Sequence, residues 1–321
     1  MKPSYLVALG RSSAHSDRVW RSAGKVAGEV RFSQAAPLGR RRGSRILGLG
    51  LDAMIVAMKA RLTVRRASLI CANPWIAVAV RLLGFSDFVV TGIYAVPGSR
   101  SWQILRKAIG NRPVVCLVDS EAQAWCSDGG RATSVLYGNT FGYPPAEVQA
   151  DGPRIFIGGT SDRDLAVVDR LISEIRRDVT RVQLVIADGT GPARWDGVVA
   201  SIEWLGRVSQ PEFGRRMSQA DVVFIPLVDS SRSAGHMVLV GALECGLPVV
   251  TTPVQGVGGY IDGNFVRVVD PVADHLSTLI DTATAMSAER DRIREYWMLK
   301  FSLNGYVVRL RSAFDVFGYD L

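Results

Sequence analysis

Residues 221–252 read DVVFIPLVDSSRSAGHMVLVGALECGLPVVTT, and this stretch decides how the chain folds. Two apolar runs, residues 222–227 and 247–252, have the length and β-branched content of strands buried on both faces. The segment between them is too long for a hairpin, so the two runs are expected to be parallel strands joined by a crossover helix. The crossover divides into a polar loop, residues 229–235, and a nearly all-apolar helix over 236–245. Gly246 is placed to cap the end of that helix, with Pro248 just beyond it.

A helix that starts at the carboxyl end of a parallel strand points its free N–H groups into the crevice where open α/β sheets bind ligands. Its partial positive charge suits phosphate. Ser233, Ala234 and Gly235 are small enough to let a ligand reach the backbone there, with His236 and Met237 supplying the next N–H groups. A buried strand, an acidic and serine-rich loop, a glycine, an apolar helix and then Cys-Gly-Leu-Pro-Val-Val resembles the donor-binding signature of GT-B glycosyltransferases, family 4 in particular. The resemblance implies an α/β fold of two Rossmann-like domains facing a cleft. It also implies that this loop and helix hold the sugar and diphosphate of a nucleotide-sugar. In the family two Glu residues, with seven residues between them, bracket the helix start, one on the donor sugar and one on the ribose. Here those positions fall on Ser233 and Gly241, so both carboxylates are missing. Glu244, one turn after Gly241, is the candidate to replace the ribose contact.

At 321 residues the chain is long enough for two α/β domains, each with its own core. The resemblance divides it into an acceptor-side domain over 1–145, a nucleotide-sugar domain over 153–295 and a C-terminal helical segment, 296–321, crossing back to the first. No apolar stretch reaches the ~20 residues of a membrane span, and residues 1–4 run into a strand rather than a signal peptide. A cytoplasmic protein is expected, with Cys71, Cys116, Cys126 and Cys245 reduced and lacking metal-ligand spacing. Residues 1–150 carry 20 Lys and Arg against 8 Asp and Glu, so the net charge of +8 comes wholly from the first half. Without basic–aromatic interleaving this favours an anionic membrane surface over nucleic acid. Arg40, Arg41, Arg42 and Arg45, followed by the apolar helix expected over 46–62, fit either a mostly buried domain helix behind a solvated arginine loop or an interfacial anchor.

In chain order, a strand over 5–9 leads into a small-residue loop with His15, then a helix with Val19 and Trp20, as Rossmann-like domains begin. Strands are expected at 68–72, 88–93, 114–118 and 134–137, with helices over 76–83 and 99–109 between them. Their polar ends place Asn73, Tyr94, Asp119 and Glu121 on one sheet edge. Tyr94 stands near where many relatives carry a histidine that contacts the donor sugar. His15, Tyr94 and Asp119 are therefore the acceptor-side candidates.

Glycine, proline and polar residues through Pro153 mark a linker. The second half opens with a strand over 154–157, then Gly158-Gly159-Thr160 and Arg163 before a helix ending at Arg177. A glycine pair between strand and helix turns backbone N–H groups toward phosphate, and Arg163 falls near the family's Lys position. Gly159 stands where the family has an Arg. After strands over 182–187 and 202–205, Gly206-Arg207-Val208 matches a turn that packs the nucleotide base in relatives, and a helix over 211–220 follows. A further helix is expected to open after Val254, a last strand over 265–269, and helix from 276 onward.

The resemblance thus implies a hexosyltransferase-like enzyme moving a sugar from a nucleoside-diphosphate donor with retention, without metal or other cofactor. Its acceptor would be a lipid-linked or polysaccharide precursor. A non-catalytic nucleotide-sugar-binding or membrane-associated protein of the same fold is the alternative, motivated by the missing Glu pair. A nicotinamide dehydrogenase ranks below both, for want of G-x-G-x-x-G after the first strand.

Overall fold

The computed structural model describes residues 6–8, 19, 20, 22, 45–63, 68–147, 152–177, 182–187, 201–230, 232–270, 272 and 274–319. The chain divides into two compact units, residues 1–136 with 306–321, and residues 137–305.

The first unit is a parallel sheet of five strands in sequential order: β1 (Leu6–Ala8), β2 (Leu69–Cys71), β3 (Phe88–Thr91), β4 (Pro113–Cys116) and β5 (Arg131–Ser134). Its helices are α1 (Arg45–Thr63), α2 (Pro74–Leu82), α3 (Arg100–Ile109) and α4 (Asp119–Ser127). β2, β3 and β4 are buried at every residue, as the apolar runs require of strands covered on both faces. Asn73 caps α2 by accepting from the Trp75 N–H at 2.9 Å, and Pro74 occupies the first turn, where its missing N–H has no helical partner to lose. In α3, Trp102, Leu105 and Ile109 recur at the spacing of one helical face and enter the core. α1 gives Ala53, Val56, Ala57 and Ala60 to the same core.

The structure shifts some expected elements. The strand expected at 134–137 is Arg131–Ser134, and Asp119 opens a helix that the sequence pattern did not announce. Only Glu121, Ala122 and Trp125 of that helix are buried, too few for an apolar stripe to show. His15 and Arg40–Arg42 lie outside the described residues.

The second unit is a six-stranded parallel sheet built from β6 (Arg154–Gly158), β7 (Gln183–Ala187), β8 (Ile202–Trp204), β9 (Val222–Ile225), β10 (Val249–Thr251) and β11 (Val266–Val268). Their order is β11-β10-β9-β6-β7-β8. Its helices are α5 (Leu165–Arg177), α6 (Gln210–Ser218), α7 (His236–Cys245), α8 (His275–Met286) and α9 (Arg290–Lys300). The segment after β10 is a 3-10 turn, Gln255–Tyr260, rather than an α-helix. α10 (Leu303–Asp315) continues the chain, and residues 306–321 cluster with the first unit.

The unit β9–α7–β10 follows the expected bounds closely. Residues 238–245 of α7 are all buried, so beyond its first two residues this helix has no solvent face. Gly246 ends it at φ +84°, and a Cβ there would meet the Arg290 carbonyl of α9 at 2.7 Å, so the C-cap needs glycine for both backbone and packing. From β6 the connections run one way to β7 and β8 and the other way to β9, β10 and β11. The order therefore reverses between β6 and β9, and this is where an open α/β sheet leaves a crevice at its carboxyl edge.

Candidate functional site

Two loops meet at that reversal point, one after β6 and one after β9. They are tied together by backbone: Asp164 N–H donates to the Pro226 carbonyl and Val228 N–H to the Asp162 carbonyl, both at 3.0 Å, and Arg163 forms a bridge with Leu227. Arg232 reinforces the tie, its Nε donating to Asp162 Oδ2 at 2.9 Å and its Nη2 to Oδ1 at 2.6 Å. Asp162 holds a left-handed backbone at φ +55°, which aspartate tolerates better than most residues.

Gly158 is buried at the end of β6, Gly159 is left-handed at φ +89°, and Thr160 is exposed. The Arg163 guanidinium folds back over this turn, donating from Nε at 2.9 Å and Nη2 at 2.6 Å to the Gly158 carbonyl and from Nη1 at 2.8 Å to that of Ser161. A Cβ on Gly159 would collide with this guanidinium and approach Val238 of α7's first turn at 3.1 Å. Gly159 thus lets the cation sit beside the α7 N-terminus. Arg163 is only 9% exposed, so its charge is fixed in place rather than carried on a waving side chain.

At the head of α7, Gly235 is the N-cap at φ +75°, with no side-chain capping bond. Its Cα faces Ile225 and Leu227, which a Cβ would reach at 3.0 and 3.3 Å. Ser233 and Ala234 are buried, His236 is partly covered and Met237 is exposed. Two polar atoms here, Ser233 Oγ and His236 Nδ1, are buried without a hydrogen-bond partner among the described residues. Burial first, and the nearby Arg163 charge second, pull the His236 imidazole down to about 4, so it is neutral at physiological pH.

Glu244 requires a correction. Its carboxylate is 3% exposed and accepts the Phe141 N–H on Oε2 and the Gly142 N–H on Oε1, both at 2.8 Å, so both oxygens are committed to the chain's own backbone. It is a structural clasp on the segment that opens the second unit, not a group presented to a ribose. The same segment explains Gly241. A Cβ there would meet the Tyr143 ring at 2.8 Å, and Gly214 of α6 faces the other side of that ring. Tyr143 stacks on Phe141 at 5.0 Å, and its hydroxyl accepts from Gln210 Nε2 at 3.1 Å. An aromatic wedge fills the place where the resemblance expects the second carboxylate. Glycines inside two helices were the only sequence trace of this approach.

Arg207 is exposed and Val208 half-buried in the loop between β8 and α6, a helix whose Phe213 packs against Phe156 of β6 at 5.1 Å. In the first unit Asp119 is exposed at the start of α4 and accepts from the Ser134 hydroxyl. Tyr94 follows β3 in a left-handed conformation at φ +54°, its N–H donated to Glu121 Oε1 at 2.9 Å and its ring lying over Gly92. Among the described residues no three His, Cys, Asp or Glu gather as a metal site would require, and no helix is long and apolar enough to cross a membrane.

Residues 154–282 match the family described as Glycosyl transferases group 1. No curated protein sequence matches the chain. Among solved structures, sucrose-phosphate synthase from Thermosynechococcus elongatus superposes with a TM-score of 0.73 at 14% identity, covering 99% of each chain. HepE from Anabaena, in complex with UDP, gives 0.70 at 12% identity over 98% of this chain and 100% of its own. WaaG, a glycosyltransferase involved in lipopolysaccharide biosynthesis, gives 0.63 at 12% identity over 98% of this chain and 100% of its own. These matches define the class: the chain has the fold of GT-B glycosyltransferases, and its second unit carries the group 1 sequence pattern.

Proposed function

We propose that the chain is a glycosyltransferase that takes its sugar from a nucleoside-diphosphate donor held at the head of α7. The observation that carries this reading is the pair of buried polar atoms there, Ser233 Oγ and His236 Nδ1, with no hydrogen-bond partner among the described residues. Buried polar groups are almost always hydrogen-bonded, so an unmatched pair beside a fixed cation and a helix N-terminus fits an anionic ligand. The diphosphate would take the N–H groups of residues 235–237 and the field of Arg163, with Gly158, Gly159 and Thr160 lining its other side. Arg207 and Val208 are assigned to the base by the resemblance.

Bond cleavage places growing negative charge on the leaving diphosphate. Fixed donors and a fixed cation stabilise that charge more than they stabilise the bound donor, which is electrostatic catalysis. This reading assigns the leaving-group charge to protein groups rather than to a metal ion. Retention of configuration is what the likeness to family 4 implies. UDP-glucose, with which HepE has been crystallised, is the first donor to try. The basic surplus of residues 1–150 supports a lipid-linked or polysaccharide acceptor and peripheral attachment to an anionic membrane through Arg40–Arg42.

Turnover decides between this reading and a donor-binding protein without chemistry, which the missing carboxylates at Ser233 and Gly241 favour. The purified protein should release UDP from UDP-glucose, or the matching diphosphate from a GDP- or ADP-sugar. Saturable binding of all three without release would establish the binder. Attachment is a separate measurement: the protein should sediment with anionic vesicles and detach as salt rises. Equal sedimentation with neutral vesicles would contradict it.

A further inference from the structure

His236 is the first helical residue of α7, and its ring is held by aromatics of the same unit. Tyr137 meets it edge-on at 5.1 Å, and Tyr260 stacks on it at 6.4 Å with 20° between planes. Tyr260 stacks in turn on Phe301 at 5.5 Å, while its hydroxyl accepts the Tyr137 N–H at 2.7 Å. A ring wedged this way has little freedom to turn and find a partner for Nδ1, an atom both buried and unbonded.

The charged groups that face it come from the two loops at the β6–β9 reversal. Arg163 acts on the ring directly. Asp162 and Arg232 neutralise each other through their two-pronged ion pair. The 3-10 turn presents the Tyr260 ring, the start of the unit the Tyr137 ring, and Phe301, the residue that caps α9, stacks on Tyr260. Burial and Arg163 both disfavour the imidazolium, and an anion against the α7 N–H groups opposes the second of these. One unit charge at about 4 Å, in the effective dielectric of a partly buried site, changes an ionisation constant about a thousandfold. A diphosphate carries more than one.

Resting on the reading of this site as a nucleoside-diphosphate site, we propose that His236 takes up a proton from solvent when the diphosphate binds and then donates a hydrogen bond from Nδ1 to a phosphate oxygen. Proton uptake makes binding tighter toward acid. Affinity falls as pH rises through the pKa that the imidazolium holds in the complex. During transfer the anomeric C–O bond breaks with its electron pair left on the diphosphate oxygen, and the imidazolium N–H lies against that growing charge.

Calorimetry with UDP, GDP and ADP at pH 7, in HEPES and in Tris, tests this. The two buffers differ in ionisation enthalpy, so a bound proton appears as a buffer-dependent heat. The wild-type protein should take up a substantial fraction of one proton per nucleotide. His236→Asn, which keeps a side-chain N–H donor, should bind about tenfold more weakly with the same heat in both buffers. His236→Gln serves if the Asn variant has a lowered melting temperature. Wild-type heats that are equal in both buffers overturn the proton uptake while leaving the diphosphate site standing, and uptake that survives in the variants moves the proton to another group. Absence of binding by all three nucleotides removes the diphosphate site itself.

Discussion

The two parallel sheets end their strands in opposite ways. In the first unit the polar residues at the carboxyl edge are occupied with one another: Asn73 caps α2, Asp119 takes the Ser134 hydroxyl, and Glu121 takes the Tyr94 N–H. Gly92 lies left-handed beneath the Tyr94 ring, so a side chain covers the backbone that a glycine would have opened. In the second unit Gly159 and Gly235 are left-handed, with Arg163 laid across the first turn and two side-chain polar atoms left unbonded beside the second. Architecture alone therefore does not make a ligand site. The difference lies in what is brought together: the second unit sets two left-handed glycines, the Arg163 guanidinium and the α7 N-terminus side by side.

The largest effect should come from Gly235→Val. A β-branched residue at φ +75° is strained by about 1–3 kcal/mol and would press on Ile225 and Leu227. The variant should lose nucleoside-diphosphate affinity and melt lower. The stability cost at a glycine before a helix interior hinges on whether its φ is positive, and at Gly235 it is +75°. Calorimetry and thermal melting together check it: wild-type affinity in a folded variant would place the ligand elsewhere.

Arg163→Ala should weaken nucleotide binding by about ten- to a hundredfold, the loss of a charge-assisted contact. Because its guanidinium also serves the Gly158 and Ser161 carbonyls, a lower melting temperature should accompany the loss. Unchanged affinity would take Arg163 out of the site and weaken the contrast between the units.

Glu244→Ala should do the reverse, destabilising the fold by about 1–3 kcal/mol through two orphaned backbone N–H groups while nucleotide affinity holds. Its carboxyl is raised above its ordinary range, burial outweighing the N–H bonds it accepts. The folded state therefore binds the proton more tightly than the unfolded chain. The sign follows: stability from this group falls as pH rises from the ordinary carboxyl value through the raised one. A denaturation series against pH, wild type against Glu244→Gln, should show that dependence only in the wild type. A large loss of nucleotide affinity without loss of stability would restore Glu244 as a ligand contact.

The smallest effect belongs to the closed unit. Tyr94→Gly keeps the N–H that Glu121 accepts and relieves a left-handed tyrosine, so the melting temperature and UDP affinity should both stay near wild type. A marked drop in UDP affinity would show that the donor is shared with the first unit.

How much of this was legible beforehand follows the range of the interactions. The β9–α7–β10 unit was readable because its signals are local: β-branched runs, a glycine before the helix and another after it. β5 was misplaced because Arg131–Ser134 is partly exposed and carries no apolar run, and α4 was missed because its buried face is so short. Residue roles were harder. Glu244 finds its partners 103 and 102 positions away, and Tyr143 is held by glycines on two helices, so neither role leaves a local pattern. His236 was placed by sequence at the helix head, but its neutrality comes from Arg163 and burial, which only the fold brings together.

The central claim is that a nucleoside diphosphate sits on the α7 N-terminus. Amide hydrogen exchange with and without saturating UDP-glucose, GDP-glucose or ADP-glucose tests it most directly. For the nucleotide that binds, protection should rise at residues 233–238 and 158–163, while the strand ends of the first unit at 92–95 and 119–121 stay unchanged. Binding that protects 92–95 and leaves 233–238 exchanging as before would contradict it.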